Sequence, residues 1–192
     1  MNINRVKLIS LVFLTLFLLS YSAFADRFSN LNLVVQMKGR GGFEYPPAKL
    51  AHLLPPGAGG CFVTDLVNPK TSWVIGKAYD CLLGAPNPVG DEGGFTIQTA
   101  YMLEFTGQGT LVTVNEITVQ PALDASPDNT GITHILGDFP AEPTIYRGTR
   151  RFHKAEGSVR VSGGNDLREL DLSSPETSFI TFDYLFVISI DN

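Results

Sequence analysis

Histidine is scarce in this chain. The three present, His52, His134 and His153, stand far apart and in no metal-ligand spacing. There is no Gly-x-Ser-x-Gly elbow, no His-Glu-x-x-His pair and no phosphate-cradling glycine loop. These absences argue against a serine or metal hydrolase, and nothing in the sequence implies a metal or another cofactor. Basic residues are outnumbered, 14 Lys and Arg against 19 Asp and Glu, for a formal charge of −5. Nucleic acid wants a basic face, so that balance speaks against it as a partner, and equally against adsorption to an anionic membrane. No Asn-x-Ser/Thr acceptor occurs, which favours a bacterial periplasm or culture medium over a eukaryotic secretory route. No internal repeat and no amphipathic helix of normal length stand out.

One apolar run is present, at the start. Arg5 and Lys7 precede Leu8 to Leu19, and Ala23-Phe24-Ala25 supplies the small-x-small pattern read by signal peptidase. The run is short for a bilayer span, which takes about 20 residues. A signal peptide over residues 1–25 is expected, with a retained anchor as the alternative. No cysteine follows the run, so a lipid anchor is not expected. Residues 26–192 then form one domain, more acidic still once Arg5 and Lys7 are gone, secreted or periplasmic, with no membrane contact after cleavage. Export would place both cysteines, Cys61 and Cys81, in an oxidising compartment, where a disulfide is the default. A metal pair, the alternative, lacks further ligands nearby.

The rest reads as strands. Leu31, Leu33, Val35 and Met37 alternate with mostly polar neighbours. Cys61 to Val67 and Thr71 to Leu83 flank a turn at Asn68-Pro69-Lys70, and pairing about that turn would bring the cysteines together. Phe95 to Phe105 alternates cleanly and turns at Gly107-Gln108-Gly109 into Thr110 to Val119. Ile132 to Phe139, Thr144 to Arg147 and Ser158 to Ser162 are shorter candidates. The last strand places Ile180, Phe182, Tyr184, Phe186, Ile188 and Ile190 on one face. About eight or nine short strands in an exported chain predict an all-β barrel or sandwich, and a closed barrel removes exposed edges. Arg40 to Gly60, Gly84 to Gly94 and Pro121 to Gly131, rich in Gly, Pro, Asp, Asn and Ser, are predicted loops.

The segment from Ile145 to Gly163 resembles the allene oxide cyclase and dirigent protein group. Gly148, Thr149, Arg151, Phe152, Ala155 and Gly157 match that group's Gly-Gly-Thr-Gly-Arg-(Phe or Tyr)-x-x-Ala-x-Gly stretch, with Arg147 in place of the first glycine and Arg150 in place of the glycine after threonine. The closing strand Phe179 to Ile190 and the Gly60 to Asp65 stretch with Cys81 downstream are also similar to members of the group. The resemblance implies a closed antiparallel eight-stranded barrel, calycin-like and often a homo-oligomer, with a lumen able to hold an apolar small molecule. Gly148 and Gly157 would flank a tight connection, and Phe152 and Ala155 would plug the barrel end.

Two kinds of function follow. The barrel is an isomerase or cyclase that works by shape, a positioned acid or base and exclusion of water. Alternatively it is a non-catalytic binder of an apolar ligand, or of a protein through its loops; a filled barrel without a ligand is the third case. Tyr101 and Tyr184 lie on the apolar faces of their strands and are the best inward phenols, unless they are ordinary core tyrosines. Glu116 completes the catalytic candidates; Glu104 and Asp183 fall opposite the apolar rows. Arg147, Arg150 and Arg151, with His153 and Lys154, form a basic cluster that is either a solvated loop or a rim for a ligand's carboxylate.

Overall fold

The computed structural model describes residues 31–89, 94–121, 131–137, 144–171 and 173–191. The expected signal peptide, residues 1–25, lies outside the described residues, as do 90–93 and 122–130 of two predicted loops.

Ten strands form one antiparallel sheet among the described residues. In chain order they are β1 (Leu31–Glu44), β2 (Cys61–Val67), β3 (Val74–Leu82), β4 (Asn87–Val89), β5 (Gly94–Phe105), β6 (Gly109–Pro121), β7 (Ile132–Gly137), β8 (Ile145–Gly148), β9 (Glu156–Asp166) and β10 (Phe179–Asp191). Eight of them close a barrel in the order β5-β3-β2-β1-β10-β9-β7-β6, with β6 returning to β5. The two outside the ring are short. β4 shares an edge of β5 with β3, and β8 shares an edge of β6 with β7. Closure leaves no long edge open among the described strands.

Alternation decides the faces. The row Ile180, Phe182, Tyr184, Phe186, Ile188 and Ile190 of β10 is buried, while Thr181, Asp183, Leu185 and Ser189 face out. The longest register, Leu31↔Ile190 to Gly42↔Phe179, lays Val35 and Met37 of β1 beside that row. One end of the barrel carries the β2–β3 and β5–β6 hairpins and the turn from β8 to β9. There Phe152 is buried, its ring centroid 5.0 Å from that of Phe105, and the two rings close this end of the lumen in the same buried cluster as Leu111, Val159 and Ile188. The expected plug is therefore Phe152, with Ala155 half-buried against the same cluster. Gly157 has φ +131°, and a Cβ there would meet the Ser189 carbonyl oxygen at 2.1 Å; at Gly148 it would meet the Phe152 carbonyl oxygen at 1.9 Å. Both glycines of the connection thus allow a backbone approach no larger residue tolerates.

The predicted loop from Arg40 to Gly60 is shorter than expected. β1 continues to Glu44, because Gly39, Gly41 and Gly42 bend the strand rather than end it, at a register shift between Lys38 and Gly42. Arg40 fixes this bend from outside, stacked 3.4 Å over Phe179 and paired with Glu169 at 2.7 Å. Likewise the strand expected over Ser158–Ser162 extends through the whole of β9, and the predicted loop after Leu83 contains β4.

Residues 45–60 form a strap across the outside of the barrel. Its only regular element is a single helical turn, Ala48–Ala51. Leu50, Leu53 and Leu54 of the strap bury the outward side chains Val63, Tyr79, Ala100, Met102 and Val112, a second apolar cluster outside the lumen. Cys61 and Cys81 face each other across β2 and β3 in this cluster and form a disulfide, with a Cα separation of 4.2 Å. Among the described residues no helix is long and apolar enough to cross a membrane.

Candidate functional site

Away from the aromatic plug the lumen becomes polar. Gly76, Ala78, Asp80 and Leu82 make the inward row of β3, because Cys81 and Tyr79 point out under the strap. Asp80 is thereby buried inside the barrel, near the end of its strand that lies away from the plug. Its register partner on β5 is Tyr101, and Thr99 stands one inward position further along β5. The Thr99 hydroxyl lies 2.5 Å from Asp80 Oδ1, as donor to it, and also within 3.1 Å of the Cys81 carbonyl oxygen.

Two phenols face this carboxyl. Tyr101 and Tyr184 are both fully buried, with ring centroids 6.3 Å apart in an edge-to-face arrangement. Phe186 packs against Tyr101 at 5.0 Å and Phe182 against Tyr184 at 5.2 Å. The Tyr184 oxygen accepts a hydrogen bond from Asn165 Nδ2 of β9 at 2.7 Å, and Asn165 Oδ1 accepts one from the Thr133 hydroxyl of β7. The Tyr101 hydroxyl, by contrast, has no hydrogen-bond partner at all, the one such buried side-chain atom among the described residues. Leaving a buried hydroxyl unpaired costs on the order of 1–3 kcal/mol. Most buried polar groups are paired, so this one calls for an explanation.

Burial governs the electrostatics. Removal from water pushes the Asp80 carboxyl up to about 6, against the stabilising pull of the Thr99 hydrogen bond. Burial, and then the nearby Asp80 charge, hold both phenols well above their ordinary range, so they remain protonated donors. The arrangement is an acid-base group that titrates near neutrality beside two phenols that do not. The gathering of perturbed groups in one part of the barrel interior makes this the candidate site. A second inward network, Thr113 and Asn115 of β6, is satisfied within the fold: the Thr113 hydroxyl bonds the Thr144 carbonyl oxygen and Asn115 Nδ2 bonds the Val159 carbonyl oxygen, each at 2.8 Å.

Compared with known proteins, the chain matches no family model and no curated protein.

Of the candidates read from the sequence, Tyr101 and Tyr184 come together inside the barrel. Glu116 does not join them: it is exposed on the outer face of β6, because the inward row there is Leu111, Thr113, Asn115 and Ile117. Arg147, Arg150 and Arg151 are exposed and lie at the plugged end, away from Asp80. Arg147 Nη1 donates to the His52 carbonyl oxygen at 2.8 Å and so pins the strap, while Arg151 Nη1 donates to Gln108 Oε1 at 2.5 Å across the neighbouring hairpin. Asp80, Thr99 and Asn165 are site residues that sequence reading did not single out. The available signal was the Cys61–Cys81 pairing: once Cys81 is turned outward, Asp80 must turn inward. Among the described residues no group of His, Cys, Asp and Glu is placed to hold a metal ion.

Proposed function

We propose that this is an exported barrel of the allene oxide cyclase and dirigent type that acts as an isomerase or cyclase on an apolar small molecule held in its lumen. The observation that carries the reading is the unpartnered Tyr101 hydroxyl beside the buried Asp80 carboxyl. A hydroxyl left without a partner inside a protein is matched best by a partner that arrives with a ligand. The aromatic walls around it supply an apolar, water-poor environment in which hydrogen bonds and proton transfers are strong. The disulfide supports export, since such bonds persist in oxidising compartments.

A second reading, a non-catalytic barrel, is favoured by the tight ring packing of Phe105 on Phe152 and Tyr101 on Phe186. Native mass spectrometry against apolar ketones, epoxides and phenols, followed by product analysis, separates the two. Binding with conversion supports the enzyme. Binding without conversion supports the carrier. No binding by any class removes the lumen as the site. Sequencing the exported protein's N-terminus tests export: Asp26 is expected, and Met1 would overturn it.

A further inference from the structure

We infer that the polar part of the lumen takes a ketone or enone of otherwise apolar shape and moves a proton on the carbon beside its carbonyl, Asp80 carrying the proton and the Tyr101 and Tyr184 hydroxyls holding the oxygen. This rests on the lumen being the site and narrows it to one substrate class.

The buried polar groups complement such a substrate. Three inward side chains from three strands, Asp80 of β3, Tyr101 of β5 and Tyr184 of β10, are buried in the water-poor barrel interior, close enough for the Asp80 charge to act on both phenols. Tyr101 offers a donor that nothing in the described protein accepts. The bond from Asn165 to Tyr184 uses an oxygen lone pair and not the phenol proton. It also makes that proton a stronger donor, because hydrogen bonds in a chain polarise one another. Two donors that stay protonated suit an oxygen gaining negative charge. Asp80, titrating near neutrality, is mostly ionised at pH 7 and is therefore the base rather than the acid of the resting site. The Thr99 hydrogen bond holds its carboxylate in one orientation. A base beside two oxyanion donors is the donor set for enolisation, whereas acid-first chemistry would need the carboxyl protonated at rest.

The step balances without any co-reactant. The Asp80 carboxylate takes the proton from the carbon next to the carbonyl. The C–H electron pair becomes the carbon–carbon double bond of the enolate, and the carbonyl π pair moves to the oxygen between the phenols. The Asp80 acid then returns the proton. Return to the same carbon regenerates the ketone; return at the far end of a conjugated enolate shifts the double bond.

Two probes test this with the purified protein. β-Naphthol is a stable mimic of a bound enol, and β-tetralone has exchangeable protons beside its carbonyl. Fluorescence titration should find β-naphthol bound, and Tyr101→Phe should weaken it about tenfold, the loss of one hydrogen bond to its oxygen. Proton NMR in deuterated buffer should find exchange of β-tetralone accelerated at least about a hundredfold over buffer, the usual scale for a positioned base. Asp80→Asn should abolish that acceleration while still binding β-naphthol, so loss of fold is not the cause. Tyr184→Phe should slow exchange without abolishing it. Binding of β-naphthol with no accelerated exchange would overturn the ketone assignment and leave the lumen site standing. Failure of both probes would overturn the lumen site itself.

Discussion

The Thr99 hydroxyl lies 2.5 Å from Asp80 Oδ1 inside the barrel, a buried carboxyl and its one side-chain donor among the described residues side by side on neighbouring strands. One neutral hydrogen bond does not repay the burial of a carboxylate. Asp80 is therefore a group that the fold carries at a cost to its stability, which is how functional groups differ from packing groups.

That cost has a defined pH dependence. Asp80 sits at about 6 in the folded chain against an ordinary 3.8. Between those values the folded protein holds a proton that the unfolded chain has released. Its contribution is fully present below the unfolded value and is lost as pH rises through the folded one. Asp80→Asn is expected to stabilise the protein by up to roughly 3 kcal/mol at neutral pH and by much less near pH 4. Urea unfolding of both proteins at the two pH values measures it, and an Asn variant weaker than the parent at neutral pH would contradict the burial argument.

The two phenols should respond differently to loss of the hydroxyl. Tyr101→Phe removes an atom with no partner and should be neutral or stabilising by about 1 kcal/mol without ligand. Tyr184→Phe strips Asn165 Nδ2 of its acceptor and should cost about 1–3 kcal/mol. Thermal unfolding of the pair gives the comparison directly; equal effects would mean that Tyr101 is bonded in solution.

Phe152 closes one end of the lumen and is 1% exposed. Phe152→Ala should cost about 3–5 kcal/mol, since Phe105 loses its ring partner and the space cannot collapse against a closed sheet. Guanidinium unfolding is the measure. A loss under about 1 kcal/mol would show that the turn rearranges to fill the gap.

The disulfide closes a sequence separation of 20 residues, enclosing the β2–β3 hairpin. Replacing both cysteines by alanine should cost about 3 kcal/mol, mostly through the unfolded chain. Because Cys81 adjoins Asp80 and its carbonyl faces Thr99, the site is expected to loosen as well. Asp80 protonation followed by NMR in the cysteine-free protein would report that; an unchanged titration would separate the bridge from the site.

The all-β character, the main strands, the disulfide and the two lumen tyrosines were legible in the sequence. Phe95 to Phe105 and Phe179 to Asp191 alternate so regularly that their strand character needs no tertiary context. The glycines at 39, 41 and 42 misled, because a glycine that bends a strand and one that ends it look alike in one dimension. Glu116 and Asp80 were hidden for a related reason. A carboxylate within a strand is on the outer face in one register and in the lumen in the other, and a shift of one residue exchanges them.

What the sequence determined by itself was local: which segments are extended, where they turn, and which side chains share a face, all consequences of the two-residue period of a strand. What only the tertiary structure decided was which of those faces closes inward. Barrel closure through β6 and β5 brings Asp80, Tyr101 and Tyr184 together from three strands, while the strap claims the opposite face of β3 and β5 and turns Cys81 out. The register between distant strands sets those meetings, and register is a property of the closed sheet that no single strand carries.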